Sequence, residues 1–258
     1  MKITRKEFLE LSGACLVALS GRKLLAVLAS PRQSQPEPAP GTAARKQWGM
    51  IIDTKKCAKD KGCTQCIEAC TTTHNIPSFE NPAHQIKWIW EQPFEDLFPS
   101  YQTQYMEDSR KEEPIPVLCN HCDDPPCVRV CPTGATWKRP EDGIVMMDWH
   151  RCIGCRYCMA ACPYGSRSFN WEDPRPHIKT LTADFPTRTK GVVEKCTFCA
   201  ERLAKAQLPA CVEACPEKAL VFGDLNDPQS EIRNLLGSQY ALRRKPELGT
   251  GPNIYYEI

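Results

Sequence analysis

The chain has 258 residues, with 33 basic and 31 acidic side chains and a net charge of +2, a balance that offers no basic footprint to a nucleic acid. Hydrophobic residues make up 41% and aromatics 8%, whereas cysteines number 17 and prolines 23. A chain so composed is held together by cross-links or metal more than by apolar packing, and its length suits one large domain or two small ones.

Residues 1–29 read as a targeting segment. Lys2, Arg5 and Lys6 form a basic start, an apolar stretch follows from Leu9 to Leu19, and "LLAVLA" ends in small residues near Ala29. The run "TRKEFLEL" is similar to the twin-arginine export motif, with Lys6 in place of the second arginine. No uninterrupted apolar run reaches the ~18–20 residues of a membrane span. Residues 30–46, "SPRQSQPEPAPGTAARK", lack periodicity and read as an extended linker, so the folded part begins near Gln47. "IKWIW" predicts a strand, and the irregular stretch after it, up to Glu113, an inserted loop that touches a partner. "TWK" and "IVMMD" predict two short strands around a turn at Glu141–Gly143. "CIEAC", "CMAAC" and "CVEAC" each predict the start of a short helix. Residues 223–258 are expected to form a docking tail: a helix over "PQSEIRNLLGSQ" capped by Asp227, then an extended strap, "YALRRKPELGTGPNIYY".

Beyond Gln47 the cysteines fall into four quartets: Cys57, Cys63, Cys66 and Cys70; Cys119, Cys122, Cys127 and Cys131; Cys152, Cys155, Cys158 and Cys162; and Cys196, Cys199, Cys211 and Cys215. The third is C-x2-C-x2-C-x3-C-P without deviation, the run that wraps an iron–sulfur cluster with three cysteines and sends the fourth to a neighbouring cluster. The second and fourth stretch the middle gap, and proline follows the fourth cysteine again at Pro132 and Pro216. A disulfide framework does not explain this repeat, and structural zinc favours two separated C-x2-C knuckles over three ligands in one tight loop. An export signal of the twin-arginine kind fits the same chemistry, since it labels a protein that leaves the cell interior folded, with its cofactor inside.

The fourth-cysteine swap sets the expected architecture: α+β, with two interleaved ferredoxin-like two-cluster units made of short strands, short helices and long loops. The expected ligand sets are Cys57, Cys63, Cys66 with Cys215; Cys196, Cys199, Cys211 with Cys70; Cys119, Cys122, Cys127 with Cys162; and Cys152, Cys155, Cys158 with Cys131. The second and third quartets form an inner unit, about 115–170, within a domain spanning 47–222; the first and fourth close an outer one around it. Four [4Fe-4S] clusters are expected. The five residues "AKDKG" between Cys57 and Cys63 are expected to loop out with Cys57 still binding; otherwise the first cluster is incomplete.

"GMIIDTKKC", "PVLCNHCDDPPCVRVCPTGAT", "DGIVMMDWHRCIGCRYCMAACPYGSRSFNW" and the closing "ELGTGPNIYYEI" resemble the four-cluster ferredoxin-like subunits that accompany NrfD-type membrane quinone proteins or molybdenum oxidoreductases. "ACTTTHNIP" and the N-terminal segment resemble the branch of that family found in sulfite-reduction-associated, Hdr-like menaquinol complexes. The resemblance implies single-electron relay among a quinone-reactive NrfD-type membrane subunit, this chain and a multihaem cytochrome c, at the periplasmic face of the membrane. Wiring of a molybdopterin oxidoreductase is the alternative, and a zinc-bound structural module a further one.

No catalytic constellation, dinucleotide fingerprint or P-loop is present, so the chain is expected to act on no small-molecule substrate of its own. His74 and His121 lie beside cysteines and read as polar loop residues; His84, His150 and His177 carry less signal. Lys195 and Arg156 are candidates to offset the negative charge of thiolates and clusters, or else solvated surface residues. Trp88, Trp90, Trp137, Trp149 and Trp171 read as core packing that could also cover clusters.

Overall fold

A computed structural model describes residues 45–258. The expected export segment, Cys15 and all of the expected linker but its last two residues lie outside the described residues.

The described chain is a mixture of short strands and short helices. It opens with β1 (Trp48–Asp53), α1 (Thr54–Cys57) and α2 (Gln65–Thr73), followed by β2 (Ile89–Pro93), α3 (Phe94–Leu97), α4 (Asp108–Lys111) and β3 (Pro114–Leu118). The middle holds α5 (Pro126–Arg129), β4 (Thr136–Lys138), β5 (Val145–Met147), α6 (Tyr157–Ala160), β6 (Ser168–Phe169) and β7 (Val193–Glu194). Last come α7 (Ala200–Leu203), α8 (Ala210–Glu213), β8 (Leu220–Asp224), α9 (Glu231–Ser238), β9 (Ala241–Leu242) and β10 (Ile254–Glu257).

The largest sheet has the order β8-β1-β10-β9. β1 is apolar on both faces because both are covered. Met50 and Ile52 enter the main core with Trp88, Leu118 and Tyr256, while Ile51 turns the other way, to Leu225 and Ile232. Ile232 belongs to α9, which lies so close on β8 that a Cβ on Gly223 would come within 2.9 Å of it. β10 runs parallel to β1, with Met50 opposite Ile254 and Ile52 opposite Tyr256.

The end of the expected docking tail thus packs into the chain's own sheet. Ile254 and Tyr256 are fully buried, because the two-residue period of "NIYYE" places them on the inner face of a strand. α9 starts at Glu231 with Ser230 as its cap, its hydroxyl accepting from the Arg233 N–H. Asp227 instead holds the preceding turn through the Gln229 N–H.

The remaining strands pair as antiparallel hairpins. β4 and β5 place Thr136 opposite Met147, and their turn closes through Arg139 N–H to the Ile144 carbonyl at 2.8 Å. β2 pairs with β3, Ile89 opposite Leu118. The strand starts three residues into "IKWIW", since the Lys87 N–H goes to the Ser168 hydroxyl at 2.9 Å instead of to a ladder. Phe94, Leu97 and Phe98 then bury the start of the inserted segment.

Beneath β6 and β7 sits a fully buried ion pair, Arg188 with Glu194 at 2.8 Å. Glu194 also accepts from Trp88 Nε1 at 3.1 Å and Asn170 Nδ2 at 2.6 Å, and Arg188 donates to the carbonyls of His74 and Asn75. Taking the charge from one partner leaves the other buried and uncompensated. Glu194→Gln should therefore cost about 3–5 kcal/mol, read as a lowered urea midpoint under anaerobic conditions.

Candidate metal centre

Each thiol is positioned by a tight local structure. Asp53 caps α1 by accepting from the Lys56 N–H at 2.8 Å, which sets Cys57 at the end of that helix. Residues 59–62 then bulge into solvent, and Gly62, at φ +81°, turns the chain back to Cys63. α2 carries Cys66 and Cys70 one helical turn apart and packs against α8, which carries Cys211. In "CIGC", Gly154 has φ +71°, and a Cβ there would drive into the carbonyl oxygen of Gly191, so only glycine fits. His121, Arg156, Phe198 and Cys199 also have positive φ; each such turn swings the backbone around a neighbouring thiol.

The folded chain brings the thiols together across quartets. Cys119, Cys122 and Cys127 share one small cavity with Cys162, and Cys152, Cys155 and Cys158 share another with Cys131. Burial pushes the Cys66 thiol up to about 12, and the charges beside it are those of Cys57, Cys215 and Cys63. Cys57 itself is pushed up to about 11 by burial, then by Cys215, Glu91 and Cys63, so the "AKDKG" bulge leaves Cys57 facing its group. Burial raises Cys70 well above the ordinary thiol range, and its neighbours are Cys196, Cys211 and Cys199. The groups also adjoin in series: Cys211 feels Cys66, Cys196 feels Cys119, and Cys158 feels Cys127.

All sixteen cysteines of the described residues are free thiols. Thiols this buried stay protonated unless a cation compensates them, which is the service a metal performs. Several sulfurs already face donors: Ala219 N–H lies 3.2 Å from Cys215 Sγ, and Phe198 and Ala210 N–H lie 3.4 Å from Cys196 and Cys199. Burial acts to raise Cys131, but the N–H of Thr136 and the hydroxyl and N–H of Thr133 outweigh it and hold that thiol below the ordinary range. Groups of four thiols with N–H groups on their sulfurs suit iron–sulfur clusters, and beside one of them His74 and Glu201 come within 4.8 Å of the Cys199 sulfur.

Both cysteine-adjacent histidines lie in loops, and both are buried. His74 stacks on Trp88 with centroids 4.7 Å apart. Its Nδ1 lies 2.9 Å from the Cys70 carbonyl and 3.5 Å from the Cys70 sulfur, and its Nε2 meets Glu201 at 3.0 Å. His121 accepts the Val145 N–H at 3.1 Å and stacks on Phe198 at 3.7 Å. His84 and His177 both approach Glu172, at 2.8 and 3.9 Å, and His150 is exposed.

Lys195 is fully buried, whereas Arg156 is exposed and lies over the Trp171 ring at 4.7 Å. Trp88 and Trp149 belong to the core around Phe185, with Trp90 half-buried; Trp137 and Trp171 are largely exposed. One further residue at the site carries no sequence signal at all. Arg167 is buried and donates to Cys127 Sγ at 3.1 Å and to Thr136 Oγ1 at 2.8 Å. Nothing in "YGSRSF" distinguishes it from a surface arginine.

Groups of four thiols drawn from two quartets, on a frame of short strands and helices, mark an iron–sulfur protein. A family model for the 4Fe-4S dicluster domain matches residues 112–178 and 180–225. The chain is 39% identical to the Hdr-like menaquinol oxidoreductase iron-sulfur subunit 1 of Archaeoglobus fulgidus, over 98% of this chain and 97% of that protein. It is 40% identical to the menaquinone reductase iron-sulfur cluster-binding subunit of Nitratidesulfovibrio vulgaris, over 81% of this chain and 88% of that one. With the iron-sulfur subunit of the arsenate respiratory reductase of a Shewanella species the identity is 39%, over 81% and 94%. The chain belongs to this family of 4Fe-4S electron-transfer subunits of oxidoreductase complexes.

Proposed function

We propose that the chain relays single electrons through four [4Fe-4S] clusters within two interleaved ferredoxin-like units. The ligands are Cys57, Cys63, Cys66 and Cys215; Cys70, Cys196, Cys199 and Cys211; Cys119, Cys122, Cys127 and Cys162; and Cys131, Cys152, Cys155 and Cys158. The observation that carries this reading is the meeting of three thiols from one quartet with the fourth thiol of another. Each cluster, when bound, supplies a one-electron couple. The chain's own residues bury the cysteines, donate N–H groups to their sulfurs and exclude water.

The partners we infer are a quinone-reactive NrfD-type membrane subunit and a further redox subunit such as a multihaem cytochrome c. The names of the Archaeoglobus and Nitratidesulfovibrio relatives support a menaquinone-linked complex. The setting is the periplasmic face of the membrane in sulfur or sulfite metabolism, reached by export in the folded state through residues 1–29. Among the described residues no helix is long and apolar enough to cross a membrane, which suits a peripheral subunit. The likeness to the arsenate respiratory reductase iron-sulfur subunit favours a second reading, the wiring subunit of a molybdopterin reductase. A zinc-bound structural module draws no support from a match to a 4Fe-4S domain.

Iron and acid-labile sulfide, assayed on anaerobically purified protein, test the reading. About sixteen of each per chain are expected. About twelve, or a three-iron EPR signal on oxidation, would mean that the bulge after Cys57 spoils the first site, and zinc without sulfide would overturn the relay.

A further inference from the structure

Four Arg or Lys side chains of the described residues are buried, Arg167, Arg188, Lys195 and Arg244, and they are not alike: Arg244 donates to Gln92 Oε1 and lies over the Tyr164 ring. Arg188 is neutralised by Glu194 at 2.8 Å. Arg167, 5% exposed, and Lys195, 0% exposed, have no carboxylate of the described residues within ion-pair distance. Arg167 donates through Nη2 to Cys127 Sγ and Thr136 Oγ1, and its Nη1 lies 3.8 Å from Met147 Sδ. The groups whose charge it feels are Cys127, Cys158 and Cys119. Lys195 donates to the Cys196 carbonyl at 2.5 Å and faces Cys119, Arg167, Cys196 and Cys127. Its neighbour Glu194 is already engaged by Arg188, Trp88 and Asn170.

A buried charge without a counter-charge costs several kcal/mol, so something else must balance these two. Among the described residues, the anionic groups facing both are the thiolates of Cys119 and Cys127 and whatever those thiolates bind. The group of Cys57 is different, since the charges beside it include Glu91 and Glu113.

We propose that Arg167 and Lys195 set the reduction potential of the cluster held by Cys119, Cys122, Cys127 and Cys162, keeping a deeply buried station as easy to reduce as its neighbours. The inference rests on the four-cluster reading above. Reduction adds one electron and no atoms, so the reduced cluster is one charge more negative than the oxidised one. Burial disfavours that extra charge, and a cation fixed nearby in a weakly screening interior favours it. Arg167 acts on the sulfur directly through its hydrogen bond to Cys127; Lys195 acts by its charge alone. The sites on either side share in the effect, that of Cys158 through Arg167 and that of Cys196 through Lys195, whereas the Cys57 site faces neither.

The test is a redox titration followed by EPR, on the full chain purified anaerobically with its clusters. Cys122→Ser identifies which signal belongs to the Cys119 group. Arg167→Met should weaken reduction of that cluster at least tenfold, which is 59 mV for a one-electron couple, while the Cys57-group signal stays in place. Arg167→Lys, which keeps the charge, should recover most of the loss. Lys195→Met should lower the same signal by a comparable factor, and it carries the test should Arg167→Met fail to take up iron. Full iron and sulfide with unmoved potentials in Lys195→Met and Arg167→Met would overturn the proposal, as would an equal fall in all signals. A wild-type chain with no labile sulfide would overturn the four-cluster reading itself, and that shows before any potential is measured.

Discussion

Replacing Cys70 by serine should cost the protein one cluster and stop electron flow. Cys70 is the thiol that α2 carries into the group of Cys196, Cys199 and Cys211, and it is 4% exposed there. Serine offers a hydroxyl that binds iron poorly and that stands buried without a strong partner. Iron should fall from about sixteen to about twelve per chain. The loss falls inside the series, because this group stands between that of Cys66 and that of Cys119. The remaining clusters should still bleach with dithionite, yet quinol-driven turnover of the assembled complex should drop to background. Sixteen irons with normal turnover would remove Cys70 from the ligands.

Removing residues 254–258 should prevent folding altogether. β10 lies between β1 and β9, and it is the parallel partner of β1. Losing the fully buried Ile254 and Tyr256 side chains alone costs about 5–10 kcal/mol, comparable with the whole stability of a typical domain, about 5–15 kcal/mol. The shortened chain should be recovered without iron and degraded in limited proteolysis. Tyr240→Ala is the control: that ring is 72% exposed, and its loss should change stability by less than about 0.5 kcal/mol. A truncated chain that still binds iron and resists protease would show that the sheet is dispensable.

What is legible in the sequence is what is local. The hairpin of β4 and β5 announces itself by a turn between two apolar stretches, and the three short helices by their cysteine spacing. The thiol quartets are likewise defined by neighbours a few residues apart. β10 reads as a strap because a strand of four residues carries little signal, and its partner, Met50 to Asp53, lies far away in the chain. The cap of α9 differs from the expected one by three residues because Asp227 and Ser230 can both cap a helix, and only the fold decides which one does. The burial of His74 and His121 depends on Trp88 and Phe198, from remote segments. Arg167 is illegible for the same reason: its partners Cys127 and Thr136 are brought to it by the tertiary fold.

The parallel pairing of β1 with β10 has a consequence for biosynthesis. The ribosome makes β1 first, yet β8 and β10, which flank it in the sheet, are among the last segments to emerge. Until then Met50 and Ile52 have no sheet to enter, and Cys57, Cys63 and Cys66 wait for Cys215. The thiols between Cys119 and Cys162 meet no such delay, since every cysteine of those two pockets is out once Cys162 is made. Assembly therefore has a built-in order, with the thiols of the two middle quartets brought out together well before those of the outer two can meet.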